Sequence, residues 1–130
     1  MEVPLSPPIG MVGKDMIEPC KTKPNCVSSL NHEKRYHVAP LRYDSFEMAK
    51  DRLLDTLKSI QRARIVVNHG NYIRAEFTSF IFRFIDDVEF YFDDNQKLIH
   101  LKSASRIGYS DLGANRRRIE KIRGKFLEGG

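Results

Sequence analysis

Glu76, Glu89 and His100 are the residues whose types suit acid–base chemistry: two carboxylates and an imidazole, each in a stretch where apolar and polar residues alternate. Alternation over several residues marks a half-buried strand, so Ile73, Ala75 and Phe77 face one side while Tyr72, Arg74, Glu76 and Thr78 face the other. The same parity sets Glu89 and Tyr91 apart from Val88, Phe90 and Phe92, and His100 and Lys102 apart from Ile99 and Leu101. One sheet face then carries Arg74, Glu76, Glu89, Tyr91, His100 and Lys102. Such a face can serve as a polar platform for a small ligand or a protein partner, and its carboxylates and histidine could move protons. The plainer reading is a solvated face of an antiparallel sheet with cross-strand charge pairs.

A second set lies in Ser103 to Arg118, SASRIGYSDLGANRRR, where a strand ends, a Gly-containing turn follows and a helix begins. Helix N-termini present unpaired N–H groups and the positive end of the dipole, so they attract anions. Ser105, Arg106, Ser110, Asn115 and Arg116 could surround a phosphate or carboxylate there. Asp111 competes, since it or Ser110 can cap the helix internally, and Arg106 can pair with Asp86 and Asp87. No Walker sequence or dinucleotide fingerprint is present, and no cofactor is expected.

The third set is Cys20 and Cys26, with His32 and His37 following. A C-x5-C spacing is wide for half of a zinc site, and the gap from Cys26 to His32 is far shorter than finger-type sites need. No metal is expected. The pair is either a disulfide closing a short loop, as in an exported protein, or two free thiols in a reducing cytosol.

The elements that must position these residues follow from periodicity. Residues 1–34, broken by Pro4, Pro7, Pro8, Pro19 and Pro24, read as an irregular N-terminal arm. Residues 35–130 read as a single α+β domain. It opens with a short edge strand over Arg35–Leu41, limited by Pro40. Phe46, Ala49, Leu53, Leu57 and Ile60 lie on one face of a helix that Asp44 or Ser45 can cap. Strands are expected over Arg64–Asn68, Tyr72–Phe84, Val88–Phe92 and Leu98–Ser105, antiparallel because their loops are short. Phe80, Phe82 and Phe84 share the parity of Glu76 rather than Phe77. The long strand is therefore expected to bulge near Thr78-Ser79, or else to carry an apolar patch on its outer face. A final helix runs from about Leu112 to Phe126, burying Leu112, Ile119, Ile122 and Phe126. The order β-α-β-β-β-β-α predicts one curved antiparallel sheet with both helices packed on one face.

Composition bounds the function classes. The 130 residues carry 22 Lys+Arg against 17 Asp+Glu, a formal charge of +5, with 41% hydrophobic residues. That excludes a disordered chain and a disulfide-dense mini-protein. Gly113–Lys125 holds six basic residues against Glu120, whereas Asp86, Asp87, Glu89, Asp93 and Asp94 have no basic residue between them. The charge is thus one basic helix beside one acidic strand, and no aromatic residues interleave with the basic ones, so nucleic acid is not an expected partner. No apolar run is long enough for a transmembrane helix. As written the chain reads as cytoplasmic; it reads as exported or membrane-anchored if a native leader was removed.

Three segments carry a family resemblance: PCKTKPNCVSS (Pro19–Ser29), YIRAEFTSFIFRFIDDVEF (Tyr72–Phe90) and SASRIGYSDLGANRRRIEKIR (Ser103–Arg123). Over residues 18–127 the chain resembles the bacterial and plastid family called domain of unknown function 1499. The resemblance implies one domain, no established reaction, and relatives that are small exported or membrane-anchored proteins. The function expected from the residues is a non-enzymatic binding or scaffold module. It would use the outer sheet face or the start of the C-terminal helix, with an unknown small anionic ligand or a protein as partner. The alternative is an enzyme of unassigned class using Glu76, Glu89 and His100.

Overall fold

Ser45 takes an extended backbone, and its hydroxyl accepts the Met48 N–H at 3.4 Å, so a helix starts at Phe46. This helix, α1, spans Phe46–Lys58 and buries Ala49, Leu53 and Leu57, as the apolar spacing requires. These observations come from a computed structural model, which describes residues 17–21, 24–107 and 113–129. Before α1 come β1 (Cys26–Ser28) and β2 (Leu41–Arg42). After it come β3 (Ala63–His69), β4 (Tyr72–Thr78), β5 (Ile85–Asp93), β6 (Leu98–Ser105) and α2 (Ala114–Glu128).

From β2 onward the order is the expected β-α-β-β-β-β-α, and the segment read as an arm contributes one more strand, β1. The six strands form an open antiparallel sheet in the order β1-β6-β5-β4-β3, with β2 also paired to β6. Both helices lie on one face. Leu53, Leu57, Ile119, Ile122 and Phe126 pack there against Ile73, Ala75, Val88, Phe90, Phe92, Ile99 and Leu101. Tyr43 and Phe46 meet the Phe92 ring edge-on at 5.6 and 5.2 Å, which docks the start of α1 on β5.

Two elements differ from expectation. The strand expected over Arg35–Leu41 is mostly a turn with a single bridge at His37, and only Leu41 continues into β2. The reason is that β6 offers one free edge and β1 occupies part of it; residues 36–38 instead bond back to Ser28, which donates to the Tyr36 carbonyl at 2.7 Å. The strand expected over Tyr72–Phe84 stops at Thr78. Ser79 donates its N–H to the Phe84 carbonyl and its hydroxyl accepts the Phe84 N–H, both at 2.9 Å, which closes a hairpin at Phe80–Arg83. The parity switch therefore marks a turn and not a bulge. It was hidden because the turn has no Gly, Asn or Pro; Arg83 takes the left-handed conformation instead, with φ of 59°.

Between the sheet and the start of α2 lies a polar network inside the apolar layer. Asn115 is fully buried. Its amide nitrogen donates to the Asn25 carbonyl at 2.9 Å and to Ser105 Oγ at 3.0 Å, and its Oδ1 accepts from Ser103 Oγ and from Arg118. Arg118 also pairs with Asp86 at 2.8 Å and lies over the Phe77 ring. Removing a buried amide that satisfies several partners strands all of them. Asn115→Ala is expected to lower the unfolding free energy by about 2–3 kcal/mol in urea denaturation.

Candidate functional site

The register places the outer-face residues in rows across the sheet. Arg64, Glu76 and Asp87 stand opposite one another on β3, β4 and β5, and Arg74, Glu89 and Lys102 form the next row on β4, β5 and β6. Just past the end of β6, Arg106 reaches back over the sheet. It donates to both Asp87 oxygens at 2.9 Å and to Glu76 at 2.7 Å. Arg64 adds a bond to Glu76 at 3.2 Å, and Arg74 lies 3.7 Å from Asp87. Three guanidinium groups thus enclose two carboxylates. The hydrogen bonds from Arg106, then from Arg64, hold the Glu76 carboxyl below its ordinary range. The bonds that Arg106 donates to Asp87, then to Glu76, raise its own pKa and keep it charged.

Glu89 takes no part in that cluster. Tyr72 donates its hydroxyl to Glu89 at 2.6 Å, and burial first, then the carboxylate, pushes the Tyr72 phenol up. His100 is half-buried; its Nδ1 lies 3.0 Å from Ser29 Oγ, and burial lowers its pKa, which favours the neutral ring. Tyr91 lies opposite both Tyr72 and His100, and Ile17 packs over the two tyrosines with Leu30 and Val67 around it. Ile17 is 1% exposed. Next to this cover, Cys20 and Cys26 are joined in a disulfide packed with Tyr36 and Ala104. Neither sulfur is free to ligate a metal, and His37 Nδ1 is engaged 2.7 Å from the Asn31 carbonyl. The outer face is therefore divided into a covered apolar part and a charged part saturated by its own arginines.

The residues expected around an anion at the start of α2 are placed in separate roles. Arg106 serves the cluster just described, and Ser105 and Asn115 belong to the buried network. Arg116 binds the carbonyls of His37, Arg35 and Lys34 at 2.8, 3.1 and 3.3 Å. Ser110, with Asp111 and Leu112, lies outside the described residues. Gly113, the residue before α2, is left-handed with φ of 82°, and a side chain there would sit 3.1 Å from the Arg117 guanidinium.

The β4–β5 hairpin presents the apolar residues Phe80, Phe82 and Phe84, which the sequence offered as a patch on the outer face of a continuous strand, at the tip of a turn instead. Phe80, Ile81, Phe82 and Phe84 are 70, 75, 71 and 47% exposed. Phe82 and Phe84 stack with centroids 5.5 Å apart, and the Arg62 guanidinium lies 5.2 Å from the Phe80 ring. A cavity of about 280 Å³ at the foot of the hairpin is lined by Arg62, Ser79, Arg117 and Lys121, among others, so the hairpin and the basic start of α2 share one end of the molecule. A larger cavity of about 560 Å³ runs between α1 and α2, lined by Met48, Asp51, Arg52, Asp55 and Lys125. Neither cavity contains Glu76, Glu89 or His100. Four large apolar side chains in five residues, with no consistent strand parity, were the sequence signal for the hairpin.

Fold and site together define a small α+β domain: an open antiparallel sheet with helices on one face and a disulfide-tied segment on the other. The chain belongs to the family described as "Protein of unknown function (DUF1499)", whose model matches residues 16–126. No curated protein matches the chain. No helix among the described residues is long and apolar enough to cross a membrane.

Two outcomes follow from the outer face. Because the folded pKa of Glu76 lies below the unfolded one, the stabilisation it lends is full above pH 4.5 and is lost as pH falls through the lowered folded value. Denaturation midpoints of wild type and Glu76→Gln are expected to differ by a constant amount above pH 4.5 and to converge below it. Reduction of the disulfide, or the pair Cys20→Ser and Cys26→Ser, is expected to cost about 2 kcal/mol of stability from loop-closure entropy, read by urea denaturation with and without a thiol reductant.

Proposed function

We propose that this protein is a non-enzymatic binding module. Its contact surface is the end of the molecule where the Phe80–Phe84 hairpin meets the start of α2. The observation that carries this reading is the exposure of Phe80, Ile81, Phe82 and Phe84 on a hairpin closed by its own hydrogen bonds. Exposed apolar patches of this kind are costly in water and mark interaction sites. The outer sheet face is the rigid support behind that surface. Its groups suit such a role better than acid–base catalysis: Glu76 is bound by Arg106 and Arg64, Glu89 accepts from Tyr72, and His100 sits against Ser29. The alternative, an enzyme with those three groups as acid and base, requires them to converge on a substrate. Basic residues around the surface, Arg62, Arg83 and Lys121, favour a partner that offers anionic groups. The Cys20–Cys26 disulfide supports an oxidising compartment, and so the exported rather than the cytoplasmic reading.

A photocrosslinking amino acid placed at Phe82, and separately at His69 at the opposite end of the sheet, tests the surface in living cells of the source. Adducts at position 82 that are absent at position 69 are expected. Equal or absent labelling at both positions overturns the reading.

A further inference from the structure

We infer that the partner at this surface is an anionic lipid bilayer, into which the β4–β5 hairpin inserts its tip. The inference rests on the contact surface proposed above and names what occupies it. Three observations support a bilayer over a protein. First, the apolar residues form a tip and not a face. Phe80, Ile81 and Phe82 each expose 70% or more, so they touch little on any side. A stable protein interface spreads over about 800 Å² on each partner, with its apolar anchors surrounded by flanking contacts. A tip of four side chains fits instead the shallow insertion by which interfacial elements enter the boundary between headgroups and acyl chains.

Second, among the described residues the charges around the tip that are free to reach a headgroup are basic. Arg83 lies within the hairpin, Arg62 stacks on Phe80, and Lys121 is exposed beside the cavity at its foot. Among the described residues, the carboxylates of β4 and β5 nearest the hairpin are already committed, Asp86 to Arg118, Asp87 to Arg106 and Arg74, and Glu76 to Arg106 and Arg64. The acidic turn residues Asp93 and Asp94 lie at the far end of β5, away from the tip. This polarity orients the molecule on a negatively charged surface with the hairpin toward it.

Third, the hairpin is preformed. Ser79 and Phe84 bond through both backbone and side chain, so the tip enters the bilayer without first ordering. The Ser79 N–H and the Phe84 N–H and carbonyl are paired at the base of the hairpin, which fixes the direction in which the tip projects.

The chain has no Trp, so Phe82→Trp creates a single fluorescent reporter at the tip. Vesicles of phosphatidylcholine, with and without phosphatidylglycerol, are the probe. With phosphatidylglycerol present, the Trp emission is expected to shift to the blue and to be quenched by lipids brominated on their acyl chains. The unsubstituted protein is expected to co-float with the same vesicles, less so as salt is raised. Phe80→Ser combined with Phe82→Ser is expected to weaken vesicle binding by about tenfold or more. The substituted side chains are exposed, so the thermal midpoint should stay unchanged and confirm that the variant is folded. Arg83→Glu with Lys121→Glu is expected to abolish the preference for phosphatidylglycerol. Absence of binding to phosphatidylglycerol vesicles at low salt, or binding that the double Ser variant retains, overturns the inference. If position 82 labels a protein in cells while vesicles are not bound, the contact surface stands and the bilayer is rejected.

Discussion

The buried amide of Asn115 is the interaction on which the arrangement of the molecule depends. It joins Asn25 before β1, Ser103 and Ser105 on β6, Arg118 on α2 and, through Arg118, Asp86 on β5, and adds to the direct bond from the Ser105 N–H to the Asn25 carbonyl and to the pairing of Asp86 with Ser105. An amide excluded from water must satisfy both its donors and its acceptor, and the geometry that does so admits one placement of α2 against the sheet. The first turn of α2 thereby sets where Arg117 and Lys121 stand relative to the β4–β5 hairpin. The same bonds bring Asn25 to the end of β6, so β1 and the disulfide beside it follow from the same constraint.

An antiparallel sheet with helices on one side leaves its second face to be dealt with. Here the solution is split along the strands. Toward the β3–β4 turn, Ile17 and the tyrosines form a small apolar cluster under the N-terminal segment, which the disulfide and the Asn31 side chain hold in place. Toward the hairpin, the face stays wet and its carboxylates are neutralised by Arg64, Arg74 and Arg106. Exposed ion pairs of this kind add little stability one by one. Their effect here is to occupy the carboxylates of Glu76 and Asp87 with three guanidinium groups, so the acidic strand and the basic residues pair internally.

Fold and family membership leave function to be argued from the surface. Among the described residues, the hairpin tip is the place where several large apolar side chains stand exposed together. Every other large apolar cluster in the described residues is covered, whereas the hairpin tip is held rigid and left exposed. A protein that needed only to fold could place polar residues at Phe80 and Phe82 at no cost to its core. Their exposure beside a basic helix start is therefore the feature that points outward.

How much of this was legible in the sequence varies by element. Helix α1, strands β3, β5 and β6 and the face assignment of Glu76, Glu89, Tyr91, His100 and Lys102 follow from periodicity, because a helix or strand that buries one side must repeat its apolar residues with the period of its backbone. The basic α2 and the acidic β5 were equally visible, and so was the pairing of Arg106 with the acidic strand. Strand β1 was not, since three residues carry no period and its formation depends on the free edge of β6. The hairpin was not, since Arg83 supplies a left-handed residue where Gly or Asn would have announced a turn. Nor could the sequence indicate that Ile17 covers the outer face or that Asn25 meets Asn115, contacts between residues about 55 to 90 positions apart. Local pattern determined which elements form and which way their side chains point. Only the tertiary structure decided which charges neutralise one another and which apolar residues remain exposed, because both depend on the distance between residues far apart in the chain.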